Sequence, residues 1–194
     1  MFGGKCPKLT SMDKPWYRKL FAGAHKLDLK SILAKADQGD PDAQFGLGLK
    51  YSTAGGGVPD FVQAAQWYRK AADQNHCLAQ FNLGVMYASG QGVLRDDAEA
   101  VMWIRKAAEA GDAGAQFNLG TRCHRASVSG QETDATESRI EAYKWLQLAA
   151  AQGYRNSDAV CERVILDMTC QEVTEGNHRT TRFLEAKPTC TVGE

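Results

Sequence analysis

No stretch of the 194-residue chain approaches the roughly 20 consecutive apolar residues that cross a bilayer. Near the N-terminus the longest apolar candidate is Leu20-Phe21-Ala22-Gly23-Ala24, short of the roughly 7 residues an export signal needs. A cytoplasmic protein is therefore expected, with periplasm or secretion as the alternative if the true N-terminus differs. Net charge is missing too: 23 Lys and Arg balance 23 Asp and Glu, so no global field recruits nucleic acid or anionic membrane. The six cysteines form no Cys-x-x-Cys pair, and with no export signal they are read as thiols, with disulfides as the alternative. His25, His76, His124 and His178 are scattered without metal-ligand spacing, and no Gly-Lys-Ser/Thr follows the glycine-rich turns. No metal, cofactor or catalytic residue is expected on these grounds.

What is present is repetition. Residues Asp42-Ala43-Gln44-Phe45-Gly46-Leu47-Gly48-Leu49-Lys50-Tyr51 return as Leu78 to Tyr87 and as Gly114 to Cys123, each 36 residues after the last. A period of this size marks stacked supersecondary units. In the first half of each unit Ala43, Leu47, Gly48 and Tyr51 trace one stripe of a helix, helix A. Asp40-Pro41 and Asp112 are good openers for it, and His76 a poorer one. The second half, Ala64 to Ala72, Ala100 to Ala108 and Ala142 to Ala150, is helix B, closing at Asn75, Gly111 and Gly153.

Gly48, Gly84 and Gly120 fall inside helix A, where glycine costs about 1 kcal/mol relative to alanine. Their shared register calls for a close approach to helix B, with Trp67, Trp103 and Trp145 filling the wider part of the seam. In the third unit the distance to the tryptophan is six residues longer. The polar segment 127–138 is expected to be an exposed loop, with Ser138 and Glu141 as a capping box where the helix resumes. Thr169 and Glu172 have the same spacing before a further helix.

Ala79, Gln80, Leu83, Gly84, Tyr87, Gly90, Gly92, Val93, Asp96, Ala100, Trp103, Ala107 and Ala108 together resemble one unit of the Sel-1-like repeat family, α/α relatives of tetratricopeptide repeats. The resemblance implies an all-α, right-handed superhelix of about three repeats with capping helices. The organisation expected is a basic arm at 1–26, a capping helix at 27–39, repeats at 40–74, 75–110 and 111–152, capping helices at 153–186 and a loose tail at 187–194. It also implies a monomeric, non-enzymatic adaptor or scaffold for a protein or extended peptide. The residues expected to hold the hairpins together are Leu47, Gly48, Tyr51, Trp67, Leu83, Gly84, Tyr87, Trp103, Leu119, Gly120 and Trp145.

If helix A lines the concave face, Leu49, Lys50, Asn82, Val85, Met86, Asn118, Thr121 and Arg122 are the peptide-binding candidates. An amide such as Asn82 or Asn118 pairs with a peptide's donor and acceptor together, and Lys50 or Arg122 supplies charge for a carboxylate. The competing role for Asn82 and Asn118 is to brace the neighbouring helix. Gln44, Gln80 and Gln116 sit beside the buried stripe and are assigned to satisfying backbone groups. Two other functions are weaker. Ser11-Met12-Asp13-Lys14 matches the Ser-x-x-Lys nucleophile motif of penicillin-recognising enzymes, and some cysteine-rich relatives of the family are linked to β-lactams, but the companion Lys-Thr-Gly is absent. A thiol redox sensor is the third. The arm carries six Lys or Arg against Asp13, leaving it at +5 and the remainder at −5. It also contains Pro15-Trp16-Tyr17-Arg18-Lys19-Leu20-Phe21, which could touch lipid head groups or pack on the first repeat.

Overall fold

Helix-favouring alanine-rich segments, punctuated by residues that accept left-handed backbone, give a chain of hairpins. The computed structural model describes residues 29–53, 58–129 and 134–186. The arm with its Ser11-Lys14 motif, Cys6, Cys190 and the tail lie outside them. All regular structure among the described residues is helix: α1 (Leu29–Asp37), α2 (Pro41–Thr53), α3 (Phe61–Asp73), α4 (Cys77–Ser89), α5 (Asp97–Ala110), α6 (Ala113–Ser129), α7 (Ala135–Ala151), α8 (Ser157–Ile165) and α9 (Cys170–Ala186). The pairs α2–α3, α4–α5 and α6–α7 are the three hairpins, and each second helix also packs on the first helix of the next hairpin. Gly39, Asn75, Gly111 and Gly153 all take positive φ where the chain leaves one unit for the next.

Within each hairpin the glycine of helix A meets the residue that follows the tryptophan. A Cβ on Gly48 would lie 2.5 Å from the Tyr68 ring, one on Gly84 2.7 Å from Ile104 Cγ1, and one on Gly120 2.8 Å from Leu146 Cγ. The tryptophans share clusters with the leucine of their own helix A, Leu47, Leu83 or Leu119, and also reach the preceding unit. Trp67 joins Ala36 of α1, Trp103 joins Phe45, Ala65 and Tyr68 of the first hairpin, and Trp145 joins Ile104, Ala107 and Ala108 of the second. The indole N–H of Trp103 donates to Glu99 at 2.9 Å and that of Trp145 to Glu141 at 2.9 Å, so the one polar atom of each ring is satisfied. Leu47, Leu83 and Leu119 are buried, whereas Tyr51 and Tyr87 are half-buried.

The buried glutamines have a repeated structural task. Gln44 Nε2 donates to the Ala36 carbonyl, Gln80 Nε2 to Ala72 and Gln116 Nε2 to Ala108, tying each helix A to the end of the preceding helix B. Gln74 then donates to Gln44 Oε1 and Gln152 to Gln116 Oε1, both at 2.8 Å. At the matching position of the second unit stands Ala110, and Gln80 Oε1 is buried without a partner among the described residues. Ala110→Gln is expected to supply the missing donor and raise stability by about 1 kcal/mol, read as a higher denaturation midpoint at unchanged slope.

Two local expectations change. The six inserted residues lengthen the hairpin's arms: α6 and α7 each have 17 residues, where α2 and α3 have 13. The stretch 127–138 is therefore mostly helix, with only 130–133 outside the described residues. Asp134, and not Ser138, caps α7, its carboxylate accepting from the Glu137 amide at 3.0 Å. Ser138 is buried one turn inside, and Glu141 is occupied by Trp145 and Lys144. The first capping oxygen along the chain wins because Ala135 to Glu137 already permit helix. At Thr169 the capping box is present, with Thr169 N donating to Glu172 Oε2 at 2.6 Å and Glu172 N to Thr169 Oγ1 at 3.3 Å.

His76 caps α4 better than its residue type suggests: Nδ1 accepts from the Ala79 amide at 3.2 Å, and Nε2 points at Asp42 Oδ1, 3.1 Å away. The ring also stacks on Phe45, with centroids 4.7 Å apart. Burial pushes its pKa below the usual 6.5, against the pull of Asp42. An unfolded chain therefore binds the proton more readily than the folded one. The cap's contribution is complete above pH 6.5 and is lost as pH falls through the depressed folded value. His76→Asn, which caps without titrating, is expected to flatten the stability profile on the acidic side of neutrality in pH-dependent thermal melts.

Candidate functional site: the helix A face

The candidate peptide-binding residues come from successive first helices, α2, α4 and α6. Phe45 and Phe117, one position before Gly46 and Asn118, turn toward the following unit, Phe45 onto His76 and Phe117 onto Tyr154. This fixes the facing of their neighbours. Lys50 and Val85 are exposed, and Leu49, Asn82, Asn118, Thr121 and Arg122 are half-buried. Met86 does not belong with them. It is 5% exposed and sits in the cluster with Ala64, Ala65 and Tyr68 of the first hairpin, because the side chain at this register points back at the preceding helix B.

The Asn pair is free of the bracing role. Among the described residues neither Asn82 nor Asn118 makes a side-chain hydrogen bond, and Asn118 Oδ1 is shut off from water without a donor. Thr121 Oγ1 donates back to the Asn118 carbonyl at 2.9 Å, which leaves its hydroxyl committed locally. Lys50 and Arg122 have no ion pair among the described residues.

Among the described residues no three His, Cys, Asp or Glu side chains gather closely enough to hold a metal ion. Cys161 is buried, and its thiol is pushed up to about 11 by burial, with Asp158 and Glu162 adding to the effect. It stays protonated near neutrality and is a poor nucleophile. Cys123 and Cys77 are half-buried and Cys170 is exposed.

Residues not singled out by sequence form a second polar–aromatic layer on helix B. Arg69 hydrogen-bonds the Tyr87 hydroxyl and lies 5.5 Å from the Trp103 ring centroid. Lys70 covers Trp67 at 3.9 Å and Lys106 covers Trp103 at 4.2 Å. The signal was the Arg-Lys pair that follows the tryptophan by two positions in both units. Beyond the repeats, α9 lies along α7. Arg139 is bound by Glu172 at 2.6 Å, Arg179 reaches Glu137, Glu141 and Glu175, and Asn177 accepts from Tyr143 and Gln147. Backbone donation by Thr169 and then Arg139 holds the Glu172 carboxyl below the usual carboxylate range.

No helix of the described residues is long and apolar enough to cross a membrane. No curated protein matches the sequence. The solved structures it resembles include these two. One is c5321, a protective antigen of uropathogenic Escherichia coli strains with an SLR fold, 26% identical at a TM-score of 0.67, over 86% of this chain and 37% of that one. The other is a Sel1 repeat protein from Oxalobacter formigenes, 31% identical at a TM-score of 0.61, over 76% of this chain and 59% of that one. The chain thus spans less than two thirds of either. The Sel1 repeat model matches residues 41–76, 77–112 and 113–154, more than half of the sequence. With its three hairpins, glutamine ties and glycine seams, this chain belongs to the Sel1 repeat family, whose members generally serve as scaffolds for protein–protein interaction and not as enzymes.

Proposed function

We propose that the protein is an adaptor that holds an extended segment of a partner polypeptide along the helix A face, through Leu49, Lys50, Asn82, Val85, Asn118, Thr121 and Arg122. The observation that carries this reading is the uncommitted state of Asn82, Lys50 and Arg122, which have no side-chain partner within the described fold. Buried or half-buried amides normally find one, and a peptide backbone offers a donor and an acceptor at the right spacing. Lys50 and Arg122 suit a partner carrying carboxylates.

The test is affinity purification with mass spectrometry from the native cell, comparing wild type with the Asn82→Ala, Asn118→Ala, Arg122→Ala triple variant. The variant is expected to keep its helical circular dichroism and melting temperature while losing the captured partner. An unaltered capture profile would discard the groove.

A further inference from the structure

Unpaired cations gather at one end of the helix A face. Arg69, Arg95, Arg139 and Arg179, on other faces, all have partners: Tyr87, Asp97, Glu172 and, for Arg179, three carboxylates. Arg122, Arg125 and Arg163 have no side-chain hydrogen bond or ion pair among the described residues. Arg125 lies one turn beyond Arg122, at the register of the exposed Thr53 and Ser89, and α6 runs on to Ser129, so the position is still helical. In α8 the buried Ser157 and Cys161 fall where Ala115 and Leu119 fall in α6, which puts Arg163 at the register of Thr121. Arg125 and Arg163 are exposed and Arg122 is half-buried. Asp158 and Glu162 of α8 do not offset them, because they stand at the glutamine and glycine registers of the seam, on a different side of the helix. Asp167, one turn past Arg163, makes no ion pair with it among the described residues. At the other end of the face stands Lys50, and Asp42 of the same helix is engaged with His76.

We propose that the partner segment held by the helix A face, whose place there rests on the adaptor reading above, carries its charge at its two ends. Two consecutive carboxylates lie over Arg122, Arg125 and Arg163, a single carboxylate lies over Lys50, and uncharged side chains run between them over Asn82 and Val85. Guanidinium groups take carboxylates through paired hydrogen bonds, so the arginine end is the stronger anchor. The separation follows from the array. Packed helices stand about 8–10 Å apart, so the two steps from α2 to α6 span about 20 Å. An extended chain rises about 3.3 Å per residue, which sets about six residues between the single carboxylate and the pair.

The probe is a fluorescently labelled peptide, acetylated and amidated, with one Glu, about five alternating Val and Ser residues and then Glu-Glu, titrated into the full-length chain. Arg125→Gln with Arg163→Gln is expected to weaken binding about tenfold while leaving the melting temperature in place. Lys50→Gln is expected to weaken it about threefold, and to have no effect on a probe whose spacer is cut to about two residues. Absence of binding overturns the proposal, as does equal affinity of wild type and the arginine double variant. A Lys50→Gln effect that is the same at both spacer lengths also overturns it. Asn82→Ala with Val85→Ser tells the two readings apart. If that variant weakens binding and the arginine variant does not, the adaptor face stands and the charged ends are wrong. If it binds as wild type does and only the arginine variant fails, the peptide lies off the face and both readings fall.

Discussion

Replacing Trp103 with alanine is expected to lower the unfolding free energy by about 3–5 kcal/mol, the largest single-residue effect foreseen for this chain. The ring is 4% exposed and packs between two hairpins, with Ala65 and Tyr68 of the first and Leu83 of its own. Truncation leaves a cavity between two units whose walls are helix backbones, and these cannot collapse without shifting a whole hairpin. It also strips Arg69 and Lys106 of the ring they cover and leaves Glu99 without its indole donor. Because stability in a stacked array is a sum of unit and interface terms, the damage concentrates at one joint. Chemical denaturation is expected to show a lower midpoint. Native-state hydrogen exchange is expected to show α1–α3 opening before α6–α7. A transition midpoint equal to wild type would refute the role of the tryptophan as the joint between units.

Gly84→Leu comes second, at roughly 1–3 kcal/mol and toward the upper end of that range. A bare Cβ at this position already meets Ile104 Cγ1 at 2.7 Å and, more consequentially, the Ala100 carbonyl and the Ile104 amide at 3.1 Å. Side chains can change rotamer, but a helix backbone cannot, so the hairpin must spread. Gly48 gives the internal comparison, since a Cβ there meets only the Tyr68 ring among its nearest neighbours. Gly48→Ala is expected to cost less than Gly84→Ala, both measured by urea titration. The reverse order would contradict the assignment of the backbone as the obstacle.

The glutamines show how much a single sequence can disclose. Their position beside the buried stripe pointed to backbone partners, and the bonds to Ala36, Ala72 and Ala108 supply them. Asp134 shows the opposite. Sequence pointed to Ser138 as the capping oxygen, and the cap at Asp134 depends on how far α7 extends before its first turn meets the rest of the hairpin. The tryptophans stand between these two cases. Their spacing announces burial, but that each ring also reaches the preceding unit depends on the angle between helices, which no local pattern encodes. Met86 fell outside the binding face for the same reason. Its place on helix A is visible from the period, but the helix behind it is not.

The sequence alone determined the repeat, its length, the left-handed exits at Gly39, Asn75, Gly111 and Gly153, and membership of a class that binds other proteins. These follow from local periodicity and from side chains whose conformational preferences act within a few residues. Tertiary packing alone decided the reach of each tryptophan into the preceding unit, the missing glutamine partner at Ala110 and the seat of α9 on α7. Each depends on which surfaces meet across units, and burial free energy is set by that meeting and not by either surface alone.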